Sequence, residues 1–363
     1  MIKSLALGIG ALLLTSTAVL AQEEPVLNLF NWSDYRAEDT LDNFTKETGI
    51  KVVESNYDSN EMLEGKLVAG NSGYDVVVPS GFFLQHDIPV GLYQKLDKSK
   101  LPNIANMEPS IMKATEAFDP GNQYAVDYMW GTTALGYNPD LVKKALPNAP
   151  LDSWDLLFKP ENAKALAGCG ITVLDAPHEV MAIALNYLGL NANSEKPEDL
   201  KKAEDLMNTI KPYIRKYDSS GYIDDLANGD ACLSLGYSGD VYIARDRASQ
   251  AGKGVNVNYV IPKEGTIEWF DMLAIPADAP HPENALKFIN YIMEGKVTAD
   301  ISNAVFYANG NKAAFPLTDP AITGDPNIYP PADIAAKLVP LQAAGDEFQK
   351  LLTRTWTRIK TGQ

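Results

Sequence analysis

The sequence is poor in the side chains that hold metals and run redox chemistry. Its 363 residues contain two cysteines, Cys169 and Cys232, and three histidines, His86, His178 and His281. The cysteines form no CxxC pair, which argues against a zinc cage. Positive charge is also short: 31 Lys and Arg stand against 47 Asp and Glu, for a formal net charge of −16. A nucleic-acid binder neutralises phosphates with clustered Lys and Arg, so this balance argues against that class. An acidic surface suits a cationic ligand without requiring one, because it also keeps a protein dissolved. No P-loop, dinucleotide-binding glycine fingerprint, HExxH helix or EF-hand loop occurs. No metal or organic cofactor is expected.

What is present begins with the N-terminus. Met1-Ile2-Lys3 carries one positive charge, Ser4 to Leu20 carries none, and Val19-Leu20-Ala21 supplies small residues at the cleavage-defining positions. Residues 1–21 therefore read as a secretory signal peptide cut after Ala21. The uncharged run is shorter than the ~20 residues a membrane span needs, and no other segment is apolar enough to cross a bilayer. Export implies an oxidising compartment. Cys169 and Cys232 each precede an apolar, strand-like run, so a bridge between adjacent strands and a pair of buried thiols both remain open.

The length suggests two lobes, at roughly 150 residues per domain. Short apolar strands alternate with amphipathic helices. Strands are expected at Val26–Asn31, Ile50–Val53 and Tyr74–Pro79, with helices at Asp39–Thr48 and Asp58–Ala69 between them. Asp58 and Glu61 have the spacing of a capping box. This βαβαβ order implies parallel strands with right-handed crossovers, and ligands beyond the strands' carboxyl ends. Further strands are expected at Cys169–Leu174, Ala231–Leu235, Val255–Ile261 and Trp269–Ile275. Helices are expected after Asp175, with Pro177 near the first position, and at Leu200–Ile214 and Pro282–Met293. No linker marks a simple boundary between lobes.

Several strand ends pair an aromatic residue with a carboxylate: Trp32-Ser33-Asp34-Tyr35, Tyr237-Ser-Gly-Asp240 and Trp269-Phe-Asp271. Glu179 near a helix start and Tyr307 add to the set. Carboxylates bind ammonium groups through charge-assisted hydrogen bonds, and ring faces attract the cation and sandwich a methylene chain. At their ordinary values neither Asp nor an ammonium titrates near pH 7, so the attraction is expected to persist there. Singly, each pair reads as a core aromatic beside a capping carboxylate; the weight lies in their recurrence at one topological place. Enzyme signals are weaker. Gly236-Tyr-Ser-Gly-Asp240 falls one position short of a nucleophile elbow, and His178, beside Glu179, reads as a surface residue at a helix start rather than a base.

These segments, with Glu47-Thr-Gly-Ile-Lys-Val-Val53, Asp75-Val-Val-Val-Pro-Ser80, Tyr128-Met-Trp-Gly-Thr132, Tyr222-Ile-Asp-Asp-Leu-Ala-Asn-Gly-Asp230, Phe306-Tyr-Ala-Asn309 and Ile328-Tyr-Pro-Pro-Ala-Asp333, resemble the periplasmic polyamine-binding proteins of ABC importers, the spermidine/putrescine family, from end to end. The resemblance implies an α/β, periplasmic-binding-protein-like fold of type II, with two lobes of parallel-dominated mixed sheet joined by hinge crossovers. Lobe 1 would take residues 22–132 plus 257–296 and lobe 2 residues 133–256 plus 297–363, with crossings near Trp130–Tyr137 and Gly254–Asn258. It implies an aromatic cage of Trp32, Tyr237, Trp269 and Tyr307, carboxylate anchors at Asp240, Asp271 and Glu179, and further contacts from Ser33, Asp34, Tyr35, Ser80 and Phe82. In this family the two cysteines form a disulfide. The implied partners are a polyamine and a membrane permease, with a soluble periplasmic location and a monomeric chain.

Trp269 and Phe82 stand where putrescine-type members carry smaller residues, which favours spermidine. Ala176 and Asp34 match the putrescine type. The sequence thus leans to spermidine, with putrescine or another diamine as the alternative. A neutral sugar or a peptide in the same fold, and an exported hydrolase, complete the competing readings. Three carboxylates without a basic partner count against a sugar, and no nucleophile held by a base is recognisable.

Overall fold

In the computed structural model, which describes residues 23–362, strand β1 (Val26–Trp32) lies between β2 (Lys51–Tyr57) and β3 (Val76–Val77), parallel to both. The leader expected over residues 1–21 lies outside the described residues. The helices Thr40–Thr48 and Asn60–Val68 make the crossovers. Only Val76 and Val77 of the expected third strand pair within the sheet, although Val76, Val77 and Val78 are all buried. A second parallel triple follows later in the chain: β5 (Ile171–Val173) lies between β6 (Lys216–Tyr217) and β7 (Leu233–Tyr237).

An antiparallel pair joins the two triples. Strand β4 (Ala125–Tyr137) is 13 residues long. It pairs with β9 (Thr266–Ala274) from Ala125 to Thr133, and with β7 from Thr133 to Tyr137. Short strands β8 (Asn258–Val260) and β10 (Leu338–Pro340) add to β4 and β9, and the main order is β2-β1-β3-β9-β4-β7-β5-β6. The first crossing expected near Trp130–Tyr137 is thus the far half of β4. The segment expected to cross back, 254–258, leads into β8, which pairs with Leu135–Tyr137 of β4, and β9 then pairs with β4 from Thr133 back to Ala125. The α/β fold with two parallel triples in a mixed sheet matches the architecture the family resemblance implied; the antiparallel pairing of β4 with β9 between them was not among the expectations. Among the described residues no helix is long and apolar enough to cross a membrane.

Local chemistry sets the boundaries. The helix Asn60–Val68 is capped by Ser59, whose hydroxyl accepts from the Met62 amide at 3.3 Å; Asp58 is not the cap. Pro177 occupies the first turn of the helix Pro177–Tyr187, where its missing N–H costs nothing. The helix expected over Leu200–Ile214 instead spans Pro197–Ile210 and tightens into a 3-10 turn over Lys211–Tyr213. Pro212 accounts for the change, since it cannot donate to the ladder and crowds the preceding turn.

Cys169 and Cys232 precede the adjacent strands β5 and β7 and are bonded to each other, with Cα atoms 5.5 Å apart. The bridge spans 63 residues. Closing such a loop in the unfolded chain stabilises the fold by roughly 4 kcal/mol in the chain-entropy model.

Candidate functional site

The parallel strands of both triples point their carboxyl ends at the junction between them. Trp32 ends β1, Ser80 follows β3, and Tyr237 ends β7. Trp269 and Asp271 lie two apart on β9, so they share one face of the strand. Ser80 forms an isolated antiparallel bridge with Asp271. Glu179 sits in the first turn of the helix Pro177–Tyr187, and Asp240 in the first turn of Ser238–Ala251. Helix N-termini carry partial positive charge, which favours an anion at both places.

These residues surround a cavity of about 520 Å³, measured with its open mouth. Its wall includes Trp32, Ser33, Tyr35, Ser80, Glu179, Tyr237, Asp240, Trp269, Asp271 and Tyr307, which are ten of the twelve ligand residues expected from the sequence. The rings form a continuous belt. Centroid distances along it are 6.5 Å for Trp32–Tyr237, 5.9 Å for Tyr237–Trp269, 5.3 Å for Trp269–Tyr307 and 5.2 Å for Tyr307–Tyr35. The Trp32 indole donates to the Val78 carbonyl at 2.9 Å, which fixes its plane.

Each of the three carboxylates accepts two neutral hydroxyl donors. Asp271 accepts from Tyr35 at 2.9 Å and Ser80 at 2.6 Å. Asp240 accepts from Tyr307 at 2.7 Å and Tyr222 at 2.9 Å. Glu179 accepts from Thr133 at 2.8 Å and Tyr237 at 3.1 Å. Thr133, on the crossing strand, also accepts from the Trp269 indole at 3.1 Å, tying the ring to the same carboxylate. None of the three takes part in an ion pair among the described residues. Glu179 and Asp271 are 5% and 4% exposed, and Asp240 is half-buried.

Burial without a cation pushes all three upward. Desolvation lifts Glu179 to about 8, against the lowering effect of the Thr133 and Tyr237 hydroxyls. It lifts Asp271 to about 7, opposed by Ser80 and Tyr35, and Asp240 to about 6, opposed by Tyr307 and Tyr222. The expectation that the site's carboxylates do not titrate near neutrality is therefore overturned. Ordinary values belong to fully solvated groups, and these are partly or wholly withdrawn from water.

Two expected residues stand elsewhere. Asp34 adopts φ +53° and turns outward to pair with Arg247 at 2.8 Å. Phe82 packs against Phe83 and His178, with centroids 5.0 and 4.9 Å away, and borders a smaller adjoining space of about 230 Å³. His178 is buried rather than on the surface, and desolvation lowers it to about 4.

The wall also contains Tyr57, Asp58, Ser219, Ser220 and Ile223, which the sequence reading did not select. Tyr57 ends β2, so the strand-end argument applied to Trp32 reaches it too. Space explains the glycines around Asp240. A Cβ on Gly239 would overlap the Tyr307 ring, and one on Gly236 the Tyr222 ring. A Cβ on Gly131 would come within 2.8 Å of the Trp269 ring. The near-elbow sequence thus accommodates the rings that hold Asp240.

Residues 39–330 match the family model of the bacterial extracellular solute-binding proteins. A putrescine-binding periplasmic protein of Pseudomonas aeruginosa (strain UCBPP-PA14) is 52% identical over 351 residues, 96% of each chain. A putrescine-binding periplasmic protein of Escherichia coli (strain K12) is 51% identical, covering 98% of this chain and 96% of that one. Among solved structures, the spermidine/putrescine ABC transporter substrate-binding protein of Streptococcus pneumoniae superposes with a TM-score of 0.73 at 27% identity, covering 92% of this chain and 98% of that one.

Proposed function

This chain belongs to the bacterial extracellular solute-binding proteins, and we propose that it captures a diamine of the putrescine class in the periplasm and delivers it unchanged to the permease of an ABC importer. The observation that carries the reading is the set of three carboxylates, Glu179 and Asp271 buried and Asp240 half-buried, each supplied with neutral hydroxyls and, among the described residues, none with a cation, inside a belt of rings. A buried carboxylate is costly until a charge partner arrives. A flexible diamine brings two ammonium groups and an apolar chain for the rings. In this reading Asp240 and Asp271 anchor one end of the ligand, Glu179 the other, and Trp32, Tyr237, Trp269 and Tyr307 enclose the methylenes.

Membership in a solute-binding family makes the chain a binder and not an enzyme. The lean toward spermidine is not carried forward. The relatives at 52% and 51% identity are named for putrescine. Phe82, one of the two aromatics that favoured a longer chain, is absent from the main wall. The two triples, with the lobe limits 22–132 plus 257–296 and 133–256 plus 297–363, close around the ligand as the working unit. That unit is a single chain, with no nucleic acid as partner.

Calorimetry with putrescine, spermidine and a neutral disaccharide tests this. The expected result is saturable heat for both amines, tighter for putrescine, and none for the sugar. Binding of the sugar, or of neither amine, overturns the reading.

A further inference from the structure

Four carboxylates line the cavity, and the fourth is unlike the others. Asp58 follows Tyr57 at the end of β2 and is half-buried, at the rim with the exposed Ser33 and the half-buried Ser219 and Ser220. Its sequence position suggested a helix cap, but Ser59 fills that role. Glu179, Asp240 and Asp271 each hold two hydroxyl donors, whereas among the described residues the Asp58 side chain has no hydrogen bond or ion pair. It is a charge with no structural duty, on the wall of the ligand cavity.

Other residues share its rim. Ser219 and Ser220 belong to a turn held by Asp218, whose carboxylate accepts from the Ser220 amide at 2.9 Å and the Gly221 amide at 2.7 Å. Lys216 pairs with that carboxylate at 2.8 Å, so the turn's position does not depend on a ligand. The Ser219 hydroxyl accepts from the Asp175 amide at 3.0 Å, which fixes that side chain. The rim therefore offers one free carboxylate and two hydroxyls on preset backbone. This set suits a group with several N–H donors and a positive charge.

Resting on the polyamine reading above, we propose that Asp58 is a specificity-determining residue: it engages a further cationic nitrogen group carried on an extension of the diamine past the three-carboxylate centre. A third ammonium and a guanidinium share the required chemistry. A simple diamine is held by the inner carboxylates and leaves Asp58 to water. The residue thus sets how well the protein accepts longer or guanidinylated amines relative to putrescine.

The test is calorimetry on the mature protein and its Asp58→Asn variant with putrescine, spermidine and agmatine, with thermal melts of both proteins. Asparagine keeps the shape and removes the charge. The proposal expects the affinity for spermidine, agmatine or both to fall at least five times more than that for putrescine. A fall for spermidine alone identifies the third ammonium, and a fall for agmatine alone the guanidinium. Equal losses for all three ligands, no loss for any, or a wild-type protein that binds putrescine and neither extended amine overturns the proposal while leaving the putrescine reading intact. A wild-type protein that binds no amine removes the reading and the proposal together.

Discussion

Asp271→Asn is expected to weaken putrescine binding by about 100-fold or more, a loss of ~3 kcal/mol within the range for truncating one partner of a buried charged pair. The residue is nearly inaccessible, and its two oxygens are already fixed by Tyr35 and Ser80. Asparagine keeps the volume and one accepting oxygen but cannot neutralise an ammonium. The ligand-free variant should melt no lower than the parent near pH 8, because the substitution removes a carboxylate whose burial there is unfavourable. Calorimetry and a thermal melt on the same preparation check both halves. Binding within threefold of the parent would remove Asp271 from the anchoring set. A weakly binding variant that also melts much lower would show that the residue serves the fold.

The second large effect is on pH. In the ligand-free protein burial raises Asp240 to about 6, Asp271 to about 7 and Glu179 to about 8. These groups sit together and titrate as a set. A diamine stays doubly charged across this range, since ammonium groups titrate near ~10.4. It binds the ionised carboxylates, so binding at pH 7 must expel protons. Affinity should rise at least tenfold between pH 5.5 and 8.5, with net proton release near pH 7. Titration in buffers of different ionisation enthalpy measures that release directly; an affinity flat with pH, or proton uptake, would contradict it.

The sign carries over to stability. An acid whose folded value lies above its unfolded one favours folding below the unfolded value and loses that contribution as pH rises through the folded value. For these three groups the window runs from roughly pH 4 to 8. The ligand restores what is lost, so it should raise the melting temperature more at pH 8 than at pH 6.

Much of this site could be read from residues alone, and the rest depends on local geometry and long-range pairing that no sequence pattern carries. Trp269 and Asp271 alternate on one strand, so a period of two places them together without any tertiary knowledge. Tyr237 and Asp240 flank a strand-to-helix turn, where the chain reverses around a fixed point. Phe82, two residues past Ser80 in the first turn of the helix Gly81–Asp87, borders the adjoining space rather than the main wall. A left-handed backbone angle, invisible in composition, turns Asp34 toward Arg247. Asp58 matched a capping pattern that its neighbour Ser59 completes instead. The strand Trp269–Ile275 was legible, but its partner was not, since β4 and β9 meet across more than a hundred residues. The raised carboxylates needed burial and hydroxyl partners from six separate segments of the chain, which no local pattern encodes.

The most direct test of the central claim is a crystal structure of the protein with putrescine. The account predicts one nitrogen of the ligand within about 3 Å of Asp240 or Asp271 and the other at a similar distance from Glu179. It also predicts the four-carbon chain between the rings of Trp32, Tyr237, Trp269 and Tyr307. Putrescine bound outside this belt, or inside it with its nitrogens facing only water and backbone carbonyls, would contradict the account.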